Sequence, residues 1–377
     1  MAIDIARVST IRDLDAFLAV PWQIYRGNAA WVPPLVDNQR ALLGGKEHPF
    51  HRHGALELFL ARSDGRPAGR VAAIENGQHN SFHEERTGFF GFFECSTDPD
   101  VAHALLDAAQ SWLRGRGLTC MRGPASPSTN EECGLLVEGY EHAPVFLMPY
   151  NPPYYASLLE GWGLKRAKDL YAYYIDKKGQ EHAQRFVKVR RVSERVRRRG
   201  DLVVRRPEMR RFHQEAAAIK EIYRRAWSGN WGFVPMTNAE FDHFAAELRQ
   251  LIVPELARII EVDNTPAAFG ILLPNYNEAI RHTNGRFWPF GVPLILAYYH
   301  LRKIRGLRLA ALGVVEEHRK AGLEAVLMHD LYQEMMESHY QWFELGWTLE
   351  DNHLINNAIE AWGGRLYKRY RMYEKAI

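Results

Sequence analysis

Cysteine is scarce in this chain. Three cysteines, Cys95, Cys120 and Cys133, occur among 377 residues, so they cannot all pair with one another, and their spacing matches no metal-ligand motif. A disulfide framework is therefore excluded, and we predict no bound metal. Free cysteines favour a reducing compartment, so the cytoplasm is the expected location.

Long apolar runs are missing as well. The longest uncharged apolar stretch covers residues 287–299 and contains Pro289 and Pro293, whereas a helix needs about 20 apolar residues to span a bilayer. The N-terminus carries Asp4 and Arg7 and lacks the apolar core of a signal peptide. We therefore expect neither a transmembrane helix nor secretion by that route.

The chain also lacks a strong charge imbalance. Its net charge is +3, with 46% hydrophobic residues, as in an ordinary globular protein. Positive charge is concentrated at residues 185–211, where twelve Lys or Arg accompany three acids. One interpretation is a solvated helix face with an exposed hairpin; the other is contact with an anionic surface, such as lipid headgroups or an acidic carrier protein. Aromatic residues are not interleaved there, so no nucleic-acid partner is expected.

What the sequence does contain is a strand, a basic turn and a helix near its C-terminus. An apolar run at residues 309–315 is followed by Arg319 to Leu323, and apolar residues then recur at helical spacing. Such a turn leaves the first N–H groups of the helix free for a phosphate, and its glycine permits close approach. The residues expected to hold the phosphate-bearing co-substrate are Leu312, Val314, Val315, Arg319, Lys320, Ala321, Gly322, Leu323 and Glu324.

The elements that follow carry a family resemblance. They are an apolar strand (342–347), a polar break (350–352), a helix (354–362) and an aromatic strand (366–373). This order resembles the GNAT superfamily of acyl-CoA N-acyltransferases, whose phosphate loop reads [RQ]-x-x-G-x-[GA]. Arg319 and Gly322 match the loop, Glu324 departs from it, Asn352 matches an Asn of the family's fourth helix, and Ile359 replaces a frequent Tyr.

The first half of the chain repeats the same order of elements. Its phosphate loop is replaced by residues 96–100, which include two acids, so we expect no CoA there. At 377 residues the chain exceeds the size of a single core. The predicted fold is α/β with a mixed sheet: two GNAT-like domains in tandem, each a mostly antiparallel sheet flanked by helices. The predicted parts are 1–178, a basic connecting segment 179–212, and 213–377 with an apolar insert at 280–306.

Forming an amide from a thioester and an amine requires a proton acceptor, a donor for the oxyanion, and in some cases an acid for the thiolate. The candidate catalytic residues are Glu344, Glu350, Asn352, Tyr367, Tyr370 and His79. Glu344 and Glu350 lie on or just after the fifth strand of the second half, Asn352 and the tyrosines follow, and His79 lies in a loop of the first half. Each has a structural alternative: a surface carboxylate, a helix cap for Asn352, and aromatic packing for the tyrosines. His79 is the outside candidate.

The resemblance implies an acyl-CoA-dependent N-acyltransferase without a permanently bound cofactor, whose donor is acyl-CoA or an acyl carrier protein thioester. Residues 89–94, 150–155 and 349–352 resemble a bacterial GNAT-like family to which, or near which, bacterial ceramide synthases belong. A small-molecule or amino-acid N-acetyltransferase and a non-catalytic binding protein remain alternatives.

The apolar insert indicates which substrate to expect. Its apolar residues are followed by Arg302, Lys303, Arg305 and Arg308, a combination that suits a membrane surface or a long acyl chain. We therefore expect a long-chain acyl group, a lipid amine such as a sphingoid base, and peripheral contact with a membrane. The alternative is a helix buried between the two domains.

Overall fold

The computed structural model describes residues 2–45, 47–178, 180–200 and 202–377, without the side chains of residues 180–185 and 188. Parts of the predicted basic segment therefore lie outside the described residues. In the first half the elements are β1 (Ile3–Arg7), α1 (Ile11–Ile24), α2 (Val36–Gly44), β2 (Gly54–Ser63), β3 (Arg66–Asn76), α3 (Gly77–His83), β4 (Thr87–Cys95), α4 (Pro99–Gly115), β5 (Cys120–Gly123), β6 (Ala125–Ser126), β7 (Glu132–Cys133), β8 (Leu135–Glu138), α5 (Tyr155–Gly161) and β9 (Lys165–Asp176).

The second half follows a similar succession of elements, with the additional helices Gln180–Arg197 and Gly291–His300 and, among the described residues, without counterparts of β6–β8. Its elements are α6 (Gln180–Arg197), β10 (Leu202–Arg205), α7 (Phe212–Trp227), α8 (Asn238–Leu248), β11 (Ala257–Val262), β12 (Thr265–Pro274), α9 (Asn277–Ile280), α10 (Gly291–His300), β13 (Gly306–Val314), α11 (Leu323–Glu337), β14 (Trp342–Leu349), α12 (His353–Ala361) and β15 (Arg365–Ala376).

Local sequence signals place several of these boundaries. Thr237 caps α8 through a reciprocal pair of hydrogen bonds with Glu240. Asp98 caps α4, and Pro99 occupies the first helical position. Between β2 and β3 the turn residues Asp64 and Gly65 both have positive φ, as a tight hairpin turn requires.

A single sheet passes through both halves, in the order β1-β2-β3-β4-β5-β15-β9-β14-β13-β12-β11-β10, and β8 also pairs with β15. The sequence predicts a separate sheet in each half, but the final strands are exchanged. β15 pairs with β5 of the first half, and β9 pairs with β14 of the second. β9 and β15 also pair with each other, so each half completes the sheet of the other. The domain limits at 178 and 213 stay a prediction.

Helices cover the sheet on both sides. In the first half α4 buries Val101, Leu105 and Ala109 against β2 and β3. In the second half α11 buries Leu323, Val326, Leu327 and Leu331 against β11 and β12. Helix α6 packs on the outside of α11. Among the described helices, none combines the length and apolarity that a bilayer-crossing segment needs.

The exchanged strand predicts one cooperative unfolding unit. Tyr373 of β15 is fully buried in the core of the first half, and its hydroxyl donates to Glu160 Oε1 at 2.9 Å. Replacing it by alanine removes a packed ring, so Tyr373→Ala should lower the free energy of unfolding by about 3–5 kcal/mol. Tyr373→Phe should cost only about 1 kcal/mol, since it removes one hydrogen bond.

The measurement is urea unfolding followed by fluorescence and by circular dichroism. We expect one transition, shifted as a whole in Tyr373→Ala, because β15 is shared by both halves. Two transitions, of which only one shifts, would show that the halves unfold independently. Leu354→Ala serves as the control, because Leu354 is 73% exposed and its truncation should change little.

Candidate active site

A large cavity lies between the two halves. Its volume is about 1310 Å³, which is above the range of about 300–1,000 Å³ usual for small-molecule sites. The first half contributes segments 31–35, 129–135 and 146–151, and the second contributes α7, α8, α10 and the ends of β13 and β14. Most of the lining side chains are apolar, so the cavity suits a ligand with a long hydrocarbon part.

The cavity opens between two splayed strands. β13 and β14 are parallel and stay in register only from Gly306↔Trp342 to Leu309↔Leu345. The next residue, Ala310, is a bulge in the pairing of β13 with β12. It therefore has no register partner among the described residues of β12 or of β14. Ala310 and Leu345 line the cavity. Backbone groups outside a ladder are available to a ligand, so an extended arm with amide groups can pair there.

The corresponding opening in the first half is filled by the chain itself. β4 and β5 are parallel over three pairs, ending at Phe89↔Arg122. Residues 124–126 then pass beside the free part of β4: a Cβ on Gly91 would lie 2.0 Å from the Ala125 carbonyl oxygen. Ser126 Oγ accepts from the N–H of Phe92 at 3.0 Å. No extended ligand fits between these strands, because the polypeptide already occupies the space.

A buried polar cluster reaches the cavity through Arg308, which lines it, whereas Glu344, Tyr367 and Tyr370 are not among the described lining residues. Arg308 and Glu344 are opposite one another on β13 and β14, and Glu344 is fully buried. Tyr367 donates to Glu344 Oε2, and Arg308 Nη1 donates to the Phe146 carbonyl at 2.6 Å. Within this cluster three buried atoms have no hydrogen-bond partner among the described residues: Arg308 Nε, Glu344 Oε1 and Tyr370 Oη. Unpaired buried polar atoms are rare and often mark a functional site.

Burial controls the protonation of this cluster. It raises the pKa of Tyr367, and the Glu344 charge raises it further. Burial likewise lowers the pKa of Arg308 against the opposing effect of Glu344. The pKa of Lys368 falls to about 8 for the same reason, and its Nζ donates to the Ala143 carbonyl at 2.7 Å. The candidate residues Glu344, Tyr367 and Tyr370 thus form one electrostatic unit with Arg308.

The other catalytic candidates lie elsewhere. Glu350 is paired with Arg166, and its Oε1 accepts from the N–H of Asp169 at 3.1 Å, so it ties β14 to β9. Asn352 caps α12, accepting from Ile355 N at 3.4 Å, and also lines the cavity. His79 is buried against Phe89 and Glu85, and burial lowers its pKa to about 4. It is not among the described lining residues.

The predicted phosphate loop has the expected shape. Gly322 has φ +81, directly before the first residue of α11, and a side chain there would be strained. Helix α6 packs against it, since a Cβ on Gly322 would lie 3.0 Å from Val196 Cγ2. Arg199 donates to the Ala321 carbonyl at 3.2 Å, and Arg319 donates to Ala226 at 2.8 Å.

Most of the loop lies apart from the cavity. Leu312 lines it, whereas residues 314–324 are not among the described lining residues. Glu324 is half-buried in the first turn of α11, and burial raises the pKa of its carboxyl group. Glu324 thus belongs to the helix turn where the resemblance puts a diphosphate.

The apolar insert contributes to both the cavity and the surface. Phe287, Ile295 and Tyr299 line the cavity, whereas Trp288 is 73% exposed and Phe290 is 80% exposed. The insert therefore supplies side chains to the cavity lining and also exposes apolar side chains at the surface. Arg308, which the sequence groups with the basic flank of the insert, is buried in β13 instead. A lone arginine in an apolar strand, Gly306 to Val314, is the signal that could have identified it.

Structural comparison defines the class of this protein. The tandem GNAT protein from the clavulanic acid biosynthesis pathway superposes with a TM-score of 0.58 at 13% identity, covering 100% of this chain and 98% of that one. A GCN5-related N-acetyltransferase from Sphaerobacter thermophilus gives a TM-score of 0.51 at 11% identity, with 99% and 95% covered. The fold is that of a tandem GNAT protein, which confirms the predicted resemblance and fold class. No model of a known protein family matches the chain.

Sequence comparison identifies the family within that class. Bacterial ceramide synthase from Caulobacter vibrioides is 35% identical over 382 residues, covering 100% of this chain and 98% of that protein. Protein YghO from Escherichia coli is 33% identical over 369 residues, covering 97% and 93%. The chain belongs to the family of these two proteins and is an N-acyltransferase.

The buried cluster predicts different consequences for the two glutamates. Glu344→Gln removes the charge beside Arg308 and the cavity, so acyl transfer should slow by about two to four orders of magnitude. Glu350→Gln weakens a partly exposed ion pair with Arg166, so it should cost at most about 1 kcal/mol of stability and leave the rate within a few-fold. Steady-state rates and thermal unfolding of both variants test this. If Glu344→Gln and Glu350→Gln lost the same amount of rate, Glu344 would have no special part in acyl transfer.

Proposed function

We propose that the protein transfers a long-chain acyl group from acyl-CoA to the amine of a lipid, with a sphingoid base as the leading acceptor and an amide lipid as the product. The observation that carries this proposal is the apolar cavity of about 1310 Å³ that joins the splayed strands to the exposed insert. The name of the Caulobacter relative, bacterial ceramide synthase, supports the same acceptor class.

The proposed reaction is a direct transfer. The amine nitrogen attacks the thioester carbonyl carbon, a C–N bond forms and the C–S bond breaks. The ammonium form of the acceptor first gives up one proton to become a neutral amine. On attack the nitrogen loses a second proton and the departing thiolate gains one, so the products are an amide, free CoA and one released proton. We assign uptake of the amine proton to Glu344, whose Oε1 is unpaired, and stabilisation of the oxyanion to the Ala310 N–H.

The donor is assigned to the second half. The opening between β13 and β14 accepts an extended pantetheine arm, whereas residues 124–126 fill the equivalent opening of the first half. Lys320 and Arg199 are exposed beside the loop and supply positive charge for the phosphates. An acyl carrier protein thioester has the same pantetheine arm but lacks the adenosine phosphates. Competition by free CoA distinguishes the two donors.

Membrane contact is assigned to the insert. Trp288, Phe290 and Leu301 are exposed apolar side chains, and Arg302 and Lys303 are exposed beside them. Apolar residues next to basic ones bind an anionic lipid surface. Because other residues of the same insert line the cavity, a lipid substrate can pass from the surface to the site without crossing water.

Chain length follows from the apolar lining. Each buried methylene contributes about 0.8 kcal/mol, so burying six of them favours a long chain over acetyl by about 5 kcal/mol. That difference is large enough to decide which donor is used. The proposed specificity therefore rests on burial rather than on a polar contact.

Removal of the Glu324 carboxylate should strengthen CoA binding. Glu324→Ala eliminates a negative charge at the loop assigned to the diphosphate, and we expect a gain of about 1–2 kcal/mol, roughly 5- to 30-fold in Kd. Isothermal titration with CoA should give one site per chain. Glu337→Ala, at the exposed end of the same helix, is the control. Unchanged or weaker binding in Glu324→Ala would place the diphosphate elsewhere.

Substrate preference tests the lipid assignment. With sphinganine as acceptor, palmitoyl-CoA should be used in preference to acetyl-CoA. Ile295→Ser, in the cavity lining, should reduce that preference with or without anionic vesicles. Phe290→Ser, at an 80% exposed position, should lower only the vesicle-dependent rate. A preference for acetyl-CoA with a polar amine, unaffected by Ile295→Ser, would instead support the small-molecule acetyltransferase.

A further inference from the structure

A carboxylate from the first half projects into the cavity. Glu132 lies on β7 and pairs with Ser126 of β6, which belongs to the segment that fills the opening of the first half. It lines the cavity, and its side chain retains accessible surface. No hydrogen bond or ion pair from the described residues reaches its carboxylate. Glu132 is exposed, and because it lines the cavity, part of that exposed surface faces the cavity. Burial by the surrounding protein raises the pKa of its carboxyl group.

Two buried arginines face the same space; Arg70 forms an ion pair with a carboxylate, whereas Arg308 forms none among the described residues and keeps its Nε unpaired. Arg70 Nη2 lies 3.9 Å from Glu94 Oε1, and Glu344 exerts the strongest electrostatic effect on Arg308. Both arginines line the cavity and lower the pKa of Glu132 without contacting it. Glu132 therefore supplies a negative charge that no cation of the described chain contacts.

Two carboxylates near Glu132 in the cavity lining, Glu131 and Glu94, are already engaged. Glu131 Oε2 accepts from the Ser128 hydroxyl at 2.6 Å, and Glu94 Oε2 accepts from the Tyr155 hydroxyl at 2.7 Å. A carboxylate withdrawn from bulk water without a partner is unfavourable, and a cationic ligand relieves that cost. The walls around it are apolar, so the matching ligand is an ammonium group attached to a hydrocarbon chain.

We propose that Glu132 holds the ammonium group of the acceptor, so that the first half binds the amine while the second half binds the donor. This inference rests on the proposed function, and it names the residue that recognises the acceptor. Glu132 is close enough to Arg308 and Tyr370 to influence their protonation. The bound amine therefore lies beside the cluster that contains Glu344, where its proton is to be taken up.

The test compares a cation with a neutral molecule of equal length. Decylamine and decanol bind without any donor, and quenching of the cavity tryptophans Trp227, Trp231 and Trp347 reports binding. The wild type should bind decylamine about 10- to 100-fold more tightly than decanol, the value of one charged hydrogen bond. Glu132→Gln should lose that preference, and Glu132→Asp should retain part of it. Glu138→Gln, which removes a charge from an ion pair with Arg369 outside the described lining, should behave as the wild type.

Kinetics provide a second readout. In Glu132→Gln the KM for sphinganine should rise about 10- to 100-fold while the KM for palmitoyl-CoA stays the same. Thermal unfolding midpoints exclude misfolding as the cause. An unchanged amine preference and unchanged KM in Glu132→Gln, with an active wild type, overturn this inference and leave the proposed function standing. If Glu132→Gln loses the amine preference but the wild type transfers no acyl group, the proposed reaction is overturned instead.

Discussion

The pairing of β9 with β15 is the constraint on which the rest of the structure depends. These strands come from different halves and form the centre of one sheet. Their backbone hydrogen bonds fix how the halves face one another, and thereby fix the cavity between them. A shift of one residue in this register would turn every side chain of β15 to the opposite face, removing Tyr367 from Glu344 and Tyr373 from the first core.

The two halves have diverged from a common arrangement in a physically consistent way. In each, two parallel strands separate after a few residues. In the second half the opening faces the cavity, whereas in the first it is closed by residues 124–126. The segment that closes it leaves no room there for an extended ligand, and its Ser126 pairs with Glu132, which lines the cavity. The same pair of parallel strands thus leaves an opening in the second half and is filled by the chain in the first half.

The buried charges explain why the candidate site is only partly visible in the sequence. Glu344, Tyr367 and Tyr370 come together in one cluster because β14 and β15 both flank β9, and their part in catalysis stays a prediction. Glu350 occurs in the same stretch, yet it faces Arg166 of β9. The periodicity of the sequence does not distinguish Glu344 from Glu350, because Arg166, the partner of Glu350, belongs to a strand about 180 residues earlier. His79, in α3, lies against Glu85, six residues further along the chain, and is not among the described lining residues.

The sequence by itself determined the succession of strands and helices, their repetition, the glycine turn at Gly322 and the apolar character of the insert. These features depend on periodicity, capping and turn chemistry, which act over a few residues. Only the tertiary structure decided the strand exchange, the burial of Arg308 beside Glu344, and the entry of Glu132 into the cavity. Each of these depends on contacts between segments far apart in the chain, whose desolvation and pairing energies have no counterpart in local sequence.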